Sequence, residues 1–164
     1  MERPLTEHIK KDGTALSLKE YEAVGGYQGL RAALKMSPSE VLNVVKDSKL
    51  RGRGGAGFPT GMKWSFVPMG DNAPKVKYLV ANGDEMEPGT FKDRLLIEGN
   101  PHQLIEGMII SAYTIGASMS YIFLRWAYHL AAKRVLIALD EAYKAGYLGK
   151  NILGSGYSLD MDLH

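Results

Sequence analysis

The chain has 164 residues, 45% apolar and 23% charged, which suits one globular domain that buries about two-thirds of its unfolded surface. A net charge of +2 with no continuous basic face argues against nucleic-acid binding. The absence of cysteine excludes disulfides, thiolate chemistry and any cluster held by the chain's own thiols, and it fits a reducing cytosol.

Residues 1 to 16 are polar and read as an extended arm ahead of a domain over 17–164. No apolar run follows Met-Glu-Arg-Pro, so no secretory signal is expected. Apolar spacing predicts helices over 18–23, 27–35 and 38–48. Between Ser37 and Leu50 the residues Val41, Leu42, Val45 and Leu50 recur at near-helical intervals.

The next stretch, 51–63, reads Arg-Gly-Arg-Gly-Gly-Ala-Gly-Phe-Pro-Thr-Gly-Met-Lys. Its five glycines have nothing to bury. They permit positive φ and let the backbone approach another body closely. Two arginines and Lys63 surround that backbone, and guanidinium forks with bare N–H groups suit a phosphate. Phe58 and Trp64 offer flat faces for a planar ring. The reading is a cradle for a phosphorylated, aromatic cofactor. Gly52-x-Gly54-x-x-Gly57 also matches the dinucleotide fingerprint, but that fingerprint follows a strand, and here the preceding run is helix-like. A nucleotide-triphosphatase loop needs Lys-Ser or Lys-Thr where Phe58 stands. A flexible surface loop with some arginines is the bland alternative.

The loop leads into a helix near 60–66, and Tyr78-Leu-Val-Ala81 reads as a buried strand over 77–81. Asn82-Gly83-Asp84 ends it with turn chemistry. Asp84, Glu85 and Glu87 crowd ahead of Pro88-Gly89, just past a strand's carboxyl end, where α/β folds often place functional residues. Such carboxylates accept hydrogen bonds from ribose hydroxyls or ring N–H groups. A helix-start acidic turn and a solvated loop remain open alternatives; a metal site would lack any nearby histidine or cysteine.

A short helix is expected near 90–98, and Pro101 opens another whose face carries Ile105, Met108, Ile109, Ala112 and Gly116. Met108 to Leu124 is uncharged, but it is short for a bilayer, holds Ser111, Thr114, Ser118 and Ser120, and is broken by Gly116. It reads as a buried helix followed by a strand at 120–125. Tyr128 to Ala145 forms a helix with Ala131, Val135, Ala138, Leu139 and Ala142 as its buried stripe, stopped by Gly146. Ser158 to His164 begins a third strand. Helices alternating with short strands indicate an α/β layered domain with a partly parallel sheet. His102 and Glu106 are four apart on a helix, but two residues make no metal site; His8, His129 and His164 lack partners. The eight methionines read as core gap-fillers.

Two of these stretches together resemble a known family. R-G-R-G-G-A-G-F-P-T-G-x-K-W at 51–64 and N-x-D-E-x-E-P-G-T at 82–90 are similar to the flavin- and NADH-binding subunit of bacterial respiratory complex I, the NADH:quinone oxidoreductase. Diaphorase subunits of NAD-linked hydrogenases and formate dehydrogenases carry similar motifs. The resemblance runs from about Ser17 to His164 and includes Gly149-Lys-Asn151 and Gly154-Ser-Gly-Tyr157. It implies the N-terminal half of the complex I flavoprotein fold, and NADH oxidation by hydride transfer to bound FMN, with electrons passed to iron–sulfur clusters. It implies flavin-phosphate contacts from Gly52, Arg53, Gly54 and Lys63, with Gly55 and Gly57 in the same cradle. Asn82, Asp84 and Glu85 would meet the flavin ring or ribityl chain. Phe58 and Phe66 would stack on the nicotinamide cofactor, and Glu87 would hydrogen-bond it. No side chain is required as a general acid or base, because the cofactor carries the chemistry.

The implied partners are a thioredoxin-like 2Fe-2S subunit, other peripheral-arm subunits and the remainder of the subunit itself. The implied place is the cytoplasmic side of the inner membrane, held through the complex without direct insertion. Family members are longer. They continue with G-A-G-x-Y-I-C-G-E-E, an Asn-rich phosphate-binding stretch, a ubiquitin-like domain and a four-cysteine helical domain that holds a 4Fe-4S cluster. The chain therefore reads as the N-terminal part of such a subunit. The alternatives are a non-catalytic remnant or assembly piece, and the equivalent diaphorase fragment. One local departure stands out: after Tyr121 to Arg125 the family continues Gly-Glu-Tyr, whereas this chain has Trp126-Ala127-Tyr128.

Overall fold

Serine caps start the first helices. In the computed structural model, which describes residues 3–164, Ser17 opens α1 (Leu18–Ala23) and Ser37 opens α3 (Pro38–Asp47). Each serine forms a capping box with a glutamate three residues on, Glu20 and Glu40, which satisfies amides that the first turn leaves free. Between them lies α2 (Gln28–Ala33), and after the glycine loop comes α4 (Thr60–Ser65). The rest alternates: β1 (Tyr78–Gly83), α5 (Lys92–Gly99), α6 (Pro101–Ile115), β2 (Met119–Leu124), α7 (His129–Lys144) and β3 (Asp160–Leu163).

The three strands form one sheet in the order β1-β2-β3, and both pairings are parallel. The register sets Val80 opposite Tyr121 and Tyr121 opposite Asp162. One face carries Ser120, Ile122, Leu124 and Met161 into the core. There they meet Ile105, Ile109 and Ala112 of α6, and Ala131, Val135 and Ala138 of α7. The other face leaves Tyr78, Val80 and Phe123 exposed, with the Tyr78 and Tyr121 rings 6.3 Å apart. Parallel sheets are usually covered on both faces, so this face is an unusual surface.

A buried polar network ties the early helices to α6. The Glu106 carboxylate accepts from the Tyr21 hydroxyl at 2.5 Å, the Tyr27 amide at 2.8 Å and the Leu30 amide at 2.9 Å. The last two amides belong to the start of α2, whose own N-cap residue, Tyr27, has φ +60 and provides no capping side chain. Glu106 is thus a helix cap supplied from another helix. Gly29 leaves room for it, since a Cβ there would lie 3.0 Å from the carboxylate. His102, fully buried one turn earlier, joins the Tyr27 hydroxyl through Nδ1 at 3.0 Å and Glu141 of α7 through Nε2 at 2.8 Å.

The predicted elements match in type and order, the α7 stripe is buried, and the sheet is parallel throughout its three strands. Gly116, expected on the buried face of α6, is instead its exposed C-cap in the left-handed conformation, because the helix stops at Ile115. β1, expected as a buried strand ended by Asn82-Gly83, runs on to Gly83 beside β2 and leaves Tyr78 and Val80 exposed on the uncovered face. Three further details differ. Leu50 lies beyond the end of α3 and is 52% exposed, because its carbonyl is turned to the Thr60 amide at the neck of the glycine loop. Among the described methionines, Met108 and Met161 are buried, whereas Met36, Met62, Met69 and Met86 are exposed. Residues 3–16 run through turns closed by Arg3, Thr6 and Lys10 carbonyls rather than as an extended arm. Ile9 packs near Gly99, and Leu16 is buried. Met1 and Glu2, part of the arm in the sequence reading, lie outside the described residues.

His102 gives this core a pH dependence. A carboxylate only accepts, so Nε2 carries the proton toward Glu141 and Nδ1 accepts from Tyr27, which is the neutral ring. Burial lowers its pKa from the ordinary 6.5, against the opposing pull of Glu141 and Glu22. The unfolded chain therefore takes up this proton first. Stability from this group is full above about pH 6.5 and is lost as the pH falls below that value. Thermal unfolding between about pH 7 and pH 5 is expected to show a steeper fall in Tm for the wild-type chain than for His102→Gln. Parallel curves would show that the ring does not stay neutral in the fold.

Candidate functional site

The glycine loop is a ring closed at its neck. The Gly52 amide donates to the Phe58 carbonyl at 2.9 Å and the Thr60 amide to the Leu50 carbonyl at 2.9 Å, with Arg51 and Pro59 forming an antiparallel bridge. The Arg51 Nε donates to the Gly57 carbonyl at 2.6 Å. Gly55 and Gly57 have φ of +146 and +61, conformations that only glycine adopts without strain. Gly54 keeps an ordinary φ, and a methyl group placed on it would meet nothing within 4 Å, so strain is not its reason for being glycine.

Among the described residues, the amides of Arg53, Gly54, Gly55, Ala56 and Gly57 donate to no protein acceptor. All of these residues except Gly54 border a cavity of about 710 Å³ that Lys49, Arg51 and Gly52 also line, among others, and that no carboxylate lines. Unpaired amides and three cations without a counter-charge are the kind of donors that anion sites use. Lys49 has φ +55 and no motif marks it, yet it joins the cavity, as does Arg51, one of the two loop arginines that the sequence sets around the bare backbone.

The aromatic neighbours are sorted differently from expectation. Trp64 turns inward and packs against the core, so it is not a free ring face. Phe66 is 68% exposed and lies 6.2 Å from the Phe58 ring, which is itself exposed. Lys63 is exposed on α4.

The second group of site residues sits at the carboxyl end of β1. The Asn82 side chain accepts from the Asp84 amide at 2.9 Å, which fixes the turn. Asn82 and Glu87 are exposed, and Asp84 is half-buried. Glu85 behaves otherwise. Its carboxylate is buried and accepts from the Asp93 and Arg94 amides, at 3.2 Å and 3.3 Å, at the start of α5. Its carbonyl accepts from Arg125 Nη1 and from the Tyr128 hydroxyl, both at 3.2 Å. Glu85 thus joins the acidic turn to α5 and to the segment after β2, with its carboxylate already committed to protein amides. Trp126, in that segment, is 89% exposed and meets only the edge of His129 among the described aromatic rings. The bulky residue therefore crowds no neighbouring backbone. Among the described residues no hydrogen bond or ion pair links the glycine loop to the acidic turn.

Residues 45–164 match the family model described as the Nuo51 FMN-binding domain. The chain is 56% identical over 154 residues to an NADH-quinone oxidoreductase subunit of Rhizobium meliloti, covering 93% of this chain and 36% of that protein. It is 51% identical over 162 residues to an NADH-quinone oxidoreductase subunit of Escherichia coli, covering 98% and 36%. Among solved structures, an NAD+-reducing [NiFe]-hydrogenase in the H2-reduced state aligns with a TM-score of 0.69 at 31% identity, over 92% of this chain and 25% of that one. The chain thus spans about a third of the length of the relatives it matches.

The ring geometry gives a discriminating pair of substitutions. Gly57→Ala forces a side chain into the left-handed region at a cost of about 1–2 kcal/mol, whereas Gly54→Ala meets neither strain nor a neighbour. Hydrogen exchange of the Gly52 and Thr60 amides, which close the neck, is expected to quicken about tenfold in Gly57→Ala and to stay near wild type in Gly54→Ala. Equal effects at the two positions would contradict this description of the loop.

Proposed function

The chain belongs to the family of Nuo51 FMN-binding domains, and on that footing we propose that it forms part of an NADH-oxidising flavin module of an NADH:quinone oxidoreductase. The observation that carries this reading is the run of unpaired amides at 53–57 beside Lys49, Arg51 and Arg53. These donors fit the phosphate of FMN. When bound, FMN supplies the redox chemistry by accepting a hydride from NADH.

The chain's own residues bind and orient. Gly52, Gly54, Gly55 and Gly57 keep the backbone bare, while Arg53 and Lys63 add charge that draws the phosphate. Asn82 and Asp84 present oxygens beyond β1 for ribityl hydroxyls or ring N–H groups. Glu85 acts through the backbone it holds, since its carboxylate caps α5. Phe58 and Phe66 present neighbouring ring faces to the nicotinamide cofactor, and Glu87 offers it an exposed carboxylate. Separating cations in the loop from acids in the turn suits a ligand with a phosphate at one end and hydroxyls and a ring at the other.

The same reading assigns the electrons to iron–sulfur carriers in peripheral-arm subunits, among them a thioredoxin-like 2Fe-2S subunit, on the cytoplasmic side of the membrane. No described helix is long and apolar enough to cross a membrane, in keeping with attachment through partners. A second reading, a diaphorase piece of an NAD-linked hydrogenase, is supported by the hydrogenase alignment. It shares the site and differs in the partner.

Comparison of FMN with riboflavin tests the reading on the chain as it stands. Equilibrium dialysis is expected to show FMN binding at least about tenfold tighter, the worth of one charge-assisted contact. Added salt should shrink the difference. Equal affinity for the two flavins would mean that the loop holds no phosphate.

A further inference from the structure

Among the described residues, Arg51 is the loop arginine whose side chain makes a hydrogen bond within the loop. Its backbone pairs with Pro59 outside the ring, while its side chain reaches across the ring to the Gly57 carbonyl at 2.6 Å. The guanidinium lies along the Gly57 backbone, where a methyl group would come within 3.7 Å of Nε and 3.9 Å of Nη2. The two backbone bonds at the neck fix only Gly52 and Thr60, so between them the glycine-rich run is free to sample many conformations. The Arg51 bond is the tie that reaches inside the ring, at the residue whose φ is +61. Nε alone makes that tie, which leaves the terminal nitrogens as further donors beside the cavity that Arg51 lines. Lysine has a single nitrogen and cannot reproduce this planar, two-ended arrangement.

Resting on the reading of the loop as an FMN cradle, we propose that Arg51 is a positioning residue. Its guanidinium clasps Gly57 and holds the 53–57 amides in the open ring that receives the phosphate. Its neighbour Arg53 lines the same cavity with no side-chain hydrogen bond among the described residues, and contributes charge. The two arginines therefore differ in what can replace them. Lysine restores function at 53 and fails to restore it at 51.

The test is an amide nitrogen–proton NMR titration of the full 164-residue chain with FMN, using Arg51→Gln, Arg51→Lys, Arg53→Gln and Arg53→Lys. Retained resonance positions for core residues such as Ile109 and Val135 establish that each variant is folded. In the wild-type chain, FMN is expected to move the amides of residues 53–57. Without ligand, Arg51→Lys is expected to shift the Gly57 and Phe58 amides and speed exchange at Gly52. Its FMN affinity should fall about tenfold, as in Arg51→Gln. Arg53→Lys should bind within about threefold of wild type and improve on Arg53→Gln.

Wild-type affinity in Arg51→Lys would overturn the positioning role, whether or not the loop resonances move, and would leave the flavin reading standing. An FMN titration that leaves the wild-type 53–57 amides in place would overturn the flavin reading and the role of Arg51 with it.

Discussion

The carboxylate of Glu106 is the point on which the helical layer turns. It sits in the core, on the helix that backs the sheet, and satisfies the first amides of α2 while accepting the Tyr21 hydroxyl. Removing it would strand those donors in a dry interior, at about 1–3 kcal/mol for each unsatisfied group. Around it, His102 carries the link to Tyr27 and Glu141, and Glu141 accepts the first amide of α1 at 3.1 Å. Tyr27 stacks on Tyr147 with ring centroids 3.7 Å apart, and the Tyr147 hydroxyl meets Arg31 and Glu22. One polar core therefore sets α1, α2, α6 and α7 together. Since α2 leads directly into α3 and the glycine loop, the loop's starting point is fixed by contacts remote from it.

The second fixed point is the carboxyl end of the parallel strands. Glu85 is anchored there from two sides, its carboxylate by α5 and its carbonyl by Arg125 and Tyr128. Arg94 lies over the Tyr128 ring, 5.6 Å from its centroid, and completes the brace. The acidic turn is thus a braced edge, with Asn82 and Glu87 exposed on it. The glycine loop, by contrast, is held at its neck and by one side chain. A cofactor spanning the two would find its ring-side contacts already set and would order the phosphate side as it binds.

Sequence revealed the repeating features and missed those made by distant partners. The stripe Ala131, Val135, Ala138, Leu139 and Ala142 is buried as its spacing predicts, because a helix against a sheet imposes that period. The glycine loop was visible because no core needs so many glycines beside arginines. Glu106 and His102 were visible only as two polar residues one turn apart. Their partners Tyr21 and Tyr27 lie 85 and 75 residues away, and no local pattern reports such pairings. Glu85 reads as one more acid of an exposed turn, yet the start of α5 draws its side chain inward and leaves Glu87 in solvent. Trp64 and Phe66 are two residues apart. The turn at the end of α4 decides which ring goes to the core and which to the surface.

In the function proposed, the glycine loop and the acidic turn are the two ends of one flavin-nucleotide site. A crystal structure of this chain grown with excess FMN tests it most directly. The phosphate is expected against the 53–57 amides with Arg53 beside it, and the ring or ribityl chain against Asn82 and Asp84. FMN bound elsewhere on the chain, or bound at the loop with its ring directed away from the acidic turn, would contradict it.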